Sequence, residues 1–149
     1  MKALNELLLE RKVDAQYATL LVAQWEPVSR RMLMANAGAE PPIVLRRGEI
    51  IKPTIEGVPI GLLDDREYDE VSLPLEPGDV VLFYSDGVED QLNAEGKDFA
   101  RERVIRLLTK HAKDSPQAIA DAFFAALDKF RGSTPITDDQ TLVVARVTK

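Results

Sequence analysis

Apolar and polar positions divide this chain into a strand-rich first half and a helix-rich second half closed by one last strand. The sharpest run is Val80-Val81-Leu82-Phe83-Tyr84. Its valines and aromatics predict a strand buried in a core. Ahead of it, Glu76-Pro77-Gly78-Asp79 places proline and glycine where a type II turn requires them. The strand stops on Ser85-Asp86-Gly87. An aspartate there sits at the rim of the core, where its carboxylate can reach solvent or a metal ion. Gly87 permits a tight bend and lets backbone approach whatever that carboxylate holds. Asp138-Asp139-Gln140, leading into a final strand over 141–147, is the mirror case.

Elsewhere the pattern is regular. Residues 2–11 read as a helix with Leu4, Leu7 and Leu8 on one face, but no Ser, Thr, Asp or Pro precedes it as a cap. The chain is therefore expected to start inside an element. Strands over 17–25 and 31–36 flank Glu26-Pro27-Val28-Ser29, an antiparallel hairpin. Residues 36–42 are loop chemistry, and 43–46 with 49–52 form a short hairpin about Arg47-Gly48. Gly57-Val58-Pro59-Ile60-Gly61 is an irregular connector, and 70–75 an edge strand because Pro74 donates no ladder bond. Two amphipathic helices follow. One spans 99–111, with Val104, Leu107, Leu108 and His111 on a stripe. The other has Ser115 as N-cap, Pro116 at its first position, an apolar face of Ile119, Phe123, Ala126, Leu127 and Phe130, and Gly132 at its end. Hairpins followed by helices predict an antiparallel α+β fold rather than a βαβ series.

Composition narrows the function. A length of 149 residues suits one domain. A net charge of −6 argues against a general nucleic-acid surface, and Arg30-Arg31 with Arg46-Arg47 is too small a basic patch to change that. The absence of cysteine excludes disulfides and thiolate zinc sites. Short apolar runs, with Glu6 and Glu10 near the start, fit neither a membrane span nor a signal peptide, so a cytoplasmic protein is expected. The lone histidine, His111, reads as a core or helix-end residue rather than part of a triad, and no Gly-rich phosphate loop occurs. A calcium loop starting at Asp86 fails, with Val88 in the third position and Gln91 in the sixth. What remains is carboxylates at strand ends, which hold hard cations such as Mg²⁺ or Mn²⁺. Taken singly, each aspartate motif also reads as an ordinary turn.

The motifs carry a resemblance when taken in order. Asn36-Ala37-Gly38, Gly57-Val58-Pro59-Ile60-Gly61, Leu75-Glu76-Pro77-Gly78-Asp79 running into Tyr84-Ser85-Asp86-Gly87-Val88, Asn93-Ala94-Glu95-Gly96 and Asp138-Asp139-Gln140-Thr141 closely resemble the C-terminal part of PPM-type (protein phosphatase 2C-like) metal-dependent serine/threonine phosphatases, in the SpoIIE/RsbU branch. The resemblance implies an αββα fold, an antiparallel β-sandwich flanked by helices, and a single, N-terminally incomplete phosphatase domain over 1–149. It implies two Mn²⁺ or Mg²⁺ ions, with Asp86 and Asp138 as metal ligands and Gly87 and Asp139 as backbone or supporting partners. No side chain need be the nucleophile, because a metal-activated water attacks the phosphoryl group.

The same resemblance implies a phosphoserine or phosphothreonine substrate on an anti-sigma-factor antagonist type of regulatory protein, under an attached sensor or receiver domain. Two departures stand out. Ala39 replaces the family's usual histidine, and nothing in residues 1–25 replaces its first acidic metal motif, since Asp14 lies in a polar stretch without a strand-end glycine. An incomplete sandwich exposes strand edges, so self-association is expected. The competing reading is a phosphatase-like module that binds a regulatory protein without hydrolysis, because two carboxylates do not make a dinuclear site.

Overall fold

The computed structural model describes residues 1–11 and 17–148; the expectation for Asp14 falls outside them. In chain order the elements are α1 (Lys2–Glu10), β1 (Leu20–Glu26), β2 (Arg31–Ala37), β3 (Ile43–Arg46), β4 (Glu49–Ile51), β5 (Glu70–Pro74), β6 (Val80–Tyr84), a 3-10 turn (Asp86–Val88), α2 (Arg101–Lys110), α3 (Pro116–Arg131) and β7 (Leu142–Arg146). Every strand pairing is antiparallel, in two sheets ordered β1-β2-β5 and β4-β3-β6-β7. The chain forms two compact units, Met1–Pro41 with Pro53–Leu75, and Pro42–Lys52 with Glu76–Lys149. Among the described residues no helix is long and apolar enough to cross a membrane.

The first unit holds the three-stranded sheet. β1 and β2 pair from Leu20↔Ala37 to Glu26↔Arg31, and β5 lies on the edge, as Pro74 predicts. β2 runs past the expected residue 36, and its alternate positions Met32, Met34 and Asn36 are buried. Asn36 is a clip: its Oδ1 accepts from Ala39 N at 2.9 Å, and its Nδ2 donates to Ala39 O and Ile55 O. The loop thus uses the backbone of residue 39, and these bonds do not depend on which side chain stands there. A Cβ on Gly57 would lie 1.8 Å from Asn36 O, so only glycine lets the connector pass this close.

α1 departs from its pattern. Leu4 and Leu7 are nearly half exposed, while Asn5 is buried, accepting from Gly61 N at 2.7 Å and donating to Leu63 O at 3.0 Å. Backbone groups of the connector need partners, and an amide meets that need where leucine could not.

Tyr68 presents the opposite case. Its hydroxyl is buried with no hydrogen-bond partner among the described residues, and burial pushes its pKa up against the opposing charge of Arg66. The folded state therefore holds this proton more tightly than the unfolded chain. The contribution is fully present below the unfolded pKa of about 10 and is lost as pH rises through the folded value. Tyr68→Phe is expected to raise stability by about 1 kcal/mol at neutral pH and to remove that alkaline loss. Urea unfolding at neutral and alkaline pH tests this; a less stable variant sinks it.

The second unit holds the four-stranded sheet and both long helices. β6 lies between β3 and β7 and is the most buried strand, as its run of valines predicts. Ile43, Leu45, Val80, Leu82 and Tyr84 form one cluster with Val104 and Leu108 of α2 and Ile119, Phe123 and Leu127 of α3. Full burial of each large apolar side chain stabilises by about 2 kcal/mol. α3 matches expectation at both ends: Ser115 Oγ accepts from Ala118 N at 3.2 Å, and Gly132 closes the helix at φ +56°. α2 starts two residues later than predicted because Ala100 takes φ 63°, which leaves Phe99 buried outside the helix. His111 is a helix-end residue, its Nδ1 2.7 Å from Asp114 Oδ2.

The turn before β6 has the expected form, with Gly78 at φ +96° and Asp79 N donating to Glu76 O. Sequence reading missed its centre. Asp79 is 2% exposed and accepts from Arg46 Nε at 3.1 Å and Arg46 Nη2 at 2.7 Å, and from Glu76 N at 2.8 Å. Hydrogen bonding to Asp79 raises the Arg46 pKa further, so this guanidinium stays charged.

Candidate functional site

The end of β6 and the start of β7 meet at one edge of the four-stranded sheet. The ladder ends with Tyr84↔Leu142, and Ser85 N donates to Thr141 O at 3.1 Å just beyond it. Ser85 Oγ then does two jobs. It donates to Asp139 O at 2.7 Å and accepts from Thr141 N at 2.9 Å, so one hydroxyl fastens the two aspartate motifs together. Val88, fully buried in the core, anchors the 3-10 turn from the other side, and Val88 N donates to Ser85 O.

Gly87 is needed for a reason the sequence did not show. Its φ is not positive, so the bend alone does not demand glycine. A Cβ at this position would lie 2.5 Å from Asp139 O and 3.3 Å from Asp138 C. What its backbone approaches is the partner aspartate loop. Behind the loop, Gln140 Nε2 donates to Oε1 of the buried Gln91, and Gln91 Nε2 donates to Leu92 O and Pro135 O. Ser85, Gln91 and Gln140 were not singled out from sequence. The only available signal was an uncharged polar residue beside each aspartate motif, and such residues are common at turns.

Asp86 and Asp138 are both solvent-exposed. Asp86 Oδ1 accepts from Gly87 N at 3.0 Å, and Asp138 Oδ1 accepts from Asp139 N at 2.7 Å. Their Oδ2 atoms have no partner among the described residues. Asp139 is exposed too and contributes its carbonyl oxygen to the Ser85 clasp. Open carboxylate oxygens suit a hard divalent cation. Among the described residues, however, no group of three or more His, Asp or Glu side chains is gathered for a metal. The residues present fit part of one cation's oxygen shell, not a complete two-ion centre.

Two antiparallel sheets with three helices are those of a PP2C-type phosphatase domain, a class whose enzymes depend on Mn²⁺ or Mg²⁺. The phosphatase domain of SpoIIE from Bacillus subtilis, solved with a fragment of its regulatory domain, matches with a TM-score of 0.81 at 26% identity, over 96% of this chain and 42% of that one. The SiaA-PP2C domain of Pseudomonas aeruginosa matches with a TM-score of 0.70 at 28% identity, over 80% and 47% respectively. The family profile of Stage II sporulation protein E (SpoIIE) matches residues 1–148, and the chain belongs to that family. It is similar to Stage II sporulation protein E of Bacillus subtilis, 28% identical over 148 residues, which are 99% of this chain and 17% of the relative. It is also similar to the phosphoserine phosphatase RsbU of the same organism, 28% identical over 98% of this chain and 44% of that protein. The chain thus spans less than half the length of these curated relatives. The fold class and the family resemblance expected from sequence are borne out.

Proposed function

We propose that residues 1–149 are part of one metal-dependent phosphoprotein phosphatase domain that hydrolyses phosphoserine or phosphothreonine on a regulatory protein of the anti-sigma-factor antagonist type. The observation that carries this is the Ser85 and Gly87 clasp, which brings the Asp86 and Asp138 loops together with an open oxygen on each carboxylate. The family profile over both compact units supports a single domain, and the relative named phosphoserine phosphatase supports the substrate class.

In this reading Asp86 and Asp138 are metal ligands. Gly87 and Asp139 hold them in place through backbone contacts, and no side chain of this chain acts as nucleophile. Mn²⁺ or Mg²⁺, when bound, acidifies water and offsets charge on the phosphoryl group. Two carboxylates are fewer than a two-ion site needs, so further oxygen ligands come from other residues.

A second reading is favoured by the absence of a three-carboxylate group among the described residues: a phosphatase-like module that binds a regulatory protein without hydrolysis. Phosphate release from a phosphoserine protein, with and without Mn²⁺, separates the two. The enzyme reading expects Mn²⁺-dependent release that falls by at least about 100-fold in both Asp86→Asn and Asp138→Asn. Activity unchanged in both variants removes the site assignment. No release at any Mn²⁺ concentration, with partner binding indifferent to both substitutions, leaves the binding module.

A further inference from the structure

A groove of about 510 Å³ lies between α2 and α3, lined by no residue of the aspartate loops and unused by the proposed chemistry. Its floor is apolar, built from Leu107, Ala126 and Phe130 with the edge of Phe99, whose ring meets Phe130 in a T-shaped contact at 5.2 Å. Its rim is cationic: Arg103, Arg106, Lys110 and Lys129. Arg103 is committed to the fold. It stacks over Phe130 at 4.6 Å and donates to Asp98 O and Phe99 O. Arg106, Lys110 and Lys129 are exposed and have no carboxylate partner among the described residues. α2 carries four basic residues (Arg101, Arg103, Arg106, Lys110) against one acidic (Glu102), in a chain whose net charge is −6.

We propose that this groove is a docking site for an acidic amphipathic helix of a partner protein. An apolar trough flanked by unpaired cations suits an occupant with an apolar stripe flanked by carboxylates, the helix-in-groove mode of recognition. The spacing agrees. Arg103, Arg106, Leu107 and Lys110 stand at i, i+3, i+4 and i+7 on one face of α2, a length of about 10 Å, or two turns of a docked helix. The trough takes leucine-sized anchors, and the rim cations meet Glu or Asp on either side and fix their register. Phosphate groups alone would leave the apolar floor unused.

Fluorescence anisotropy with three labelled synthetic peptides tests the assignment. Each is a Glu-rich helix, with leucines spaced i/i+3/i+7, i/i+4/i+7 or i/i+4/i+8, and each has a Glu→Lys counterpart. The protein variant is Arg106→Glu/Lys110→Glu/Lys129→Glu, three exposed positions whose fold is checked by circular dichroism. The expected result is binding of at least one acidic peptide, weakened by salt and at least about tenfold weaker in the variant, with the preference for Glu over Lys peptides inverted. Three results overturn the proposal: no binding by any acidic peptide, equal binding of acidic and basic peptides, or equal affinity in wild type and variant. Vesicles of phosphatidylglycerol and phosphatidylcholine are the remaining arm. Binding to these with none to the peptides makes the groove a lipid site and overturns a protein partner.

Discussion

Replacing Gly87 with alanine is expected to cost about 3 kcal/mol of stability and to part the two aspartate loops. The added methyl would sit 2.5 Å from a backbone oxygen, Asp139 O, rather than against the end of a flexible side chain. Overpacking of this kind costs about 1–3 kcal/mol, and the upper end applies where backbone must yield. Neither neighbour yields easily. The Gly87 side is pinned by the buried Val88, and the Asp139 side by the Ser85 hydroxyl and the Gln140–Gln91 pair. The strain therefore falls on the Asp139 O to Ser85 Oγ bond, and the loop carrying Asp138 moves outward. Two measurements check this together. Urea unfolding should show the loss, and Mn²⁺ titration by calorimetry should show weakened binding. A variant as stable as wild type with undiminished Mn²⁺ affinity would contradict the assigned role of Gly87.

Asp79→Ala is expected to be the costlier change, at about 3–5 kcal/mol. Asp79 is buried, and its loss takes the bidentate carboxylate from the partly buried Arg46 guanidinium, whose charge cannot be shed. It also removes the acceptor for Glu76 N, so the turn that delivers β6 loses its internal tie. Glu76 Oε1, 3.3 Å from Arg46 Nη1, offers only partial replacement because it is 41% exposed. The double variant Arg46→Met/Asp79→Leu, which removes both charges, should recover more than half of the loss. If the single variant unfolds at the wild-type denaturant concentration, the ion pair is not what holds the turn.

Much of this architecture was legible in the sequence because local pattern and tertiary demand agree there. The valine-rich run of β6 is buried on both faces, Ser115-Pro116 and Gly132 bound α3, and Pro74 puts β5 on an edge. Both aspartate motifs were legible as strand-end carboxylates. What failed to show is what depends on a distant partner. Leu4 and Leu7 of α1 are left nearly half exposed while Asn5 turns inward, because Asn5 is required by backbone 56 and 58 residues away in sequence. Asp79 looks like any turn aspartate until Arg46, 33 residues earlier, is placed beside it. Ser85 and Gln91 are silent for the same reason. The cationic groove was equally hidden, since its halves lie on two helices whose relative placement no periodicity states.

The Ser85 hydroxyl spans 54 residues of chain, and both long helices lie within that span. Closing so long a loop is entropically uphill until α2 and α3 have packed on the sheet. The two aspartates are therefore neighbours only in molecules whose second unit is finished. A cation that needs both recognises the native chain and ignores the unfolded one, and each tenfold excess over its dissociation constant adds about 1.4 kcal/mol to the stability of that unit. In the proposed reading the ion is then a clamp on the fold as well as a reagent, and its concentration sets what fraction of molecules keeps the clasp shut.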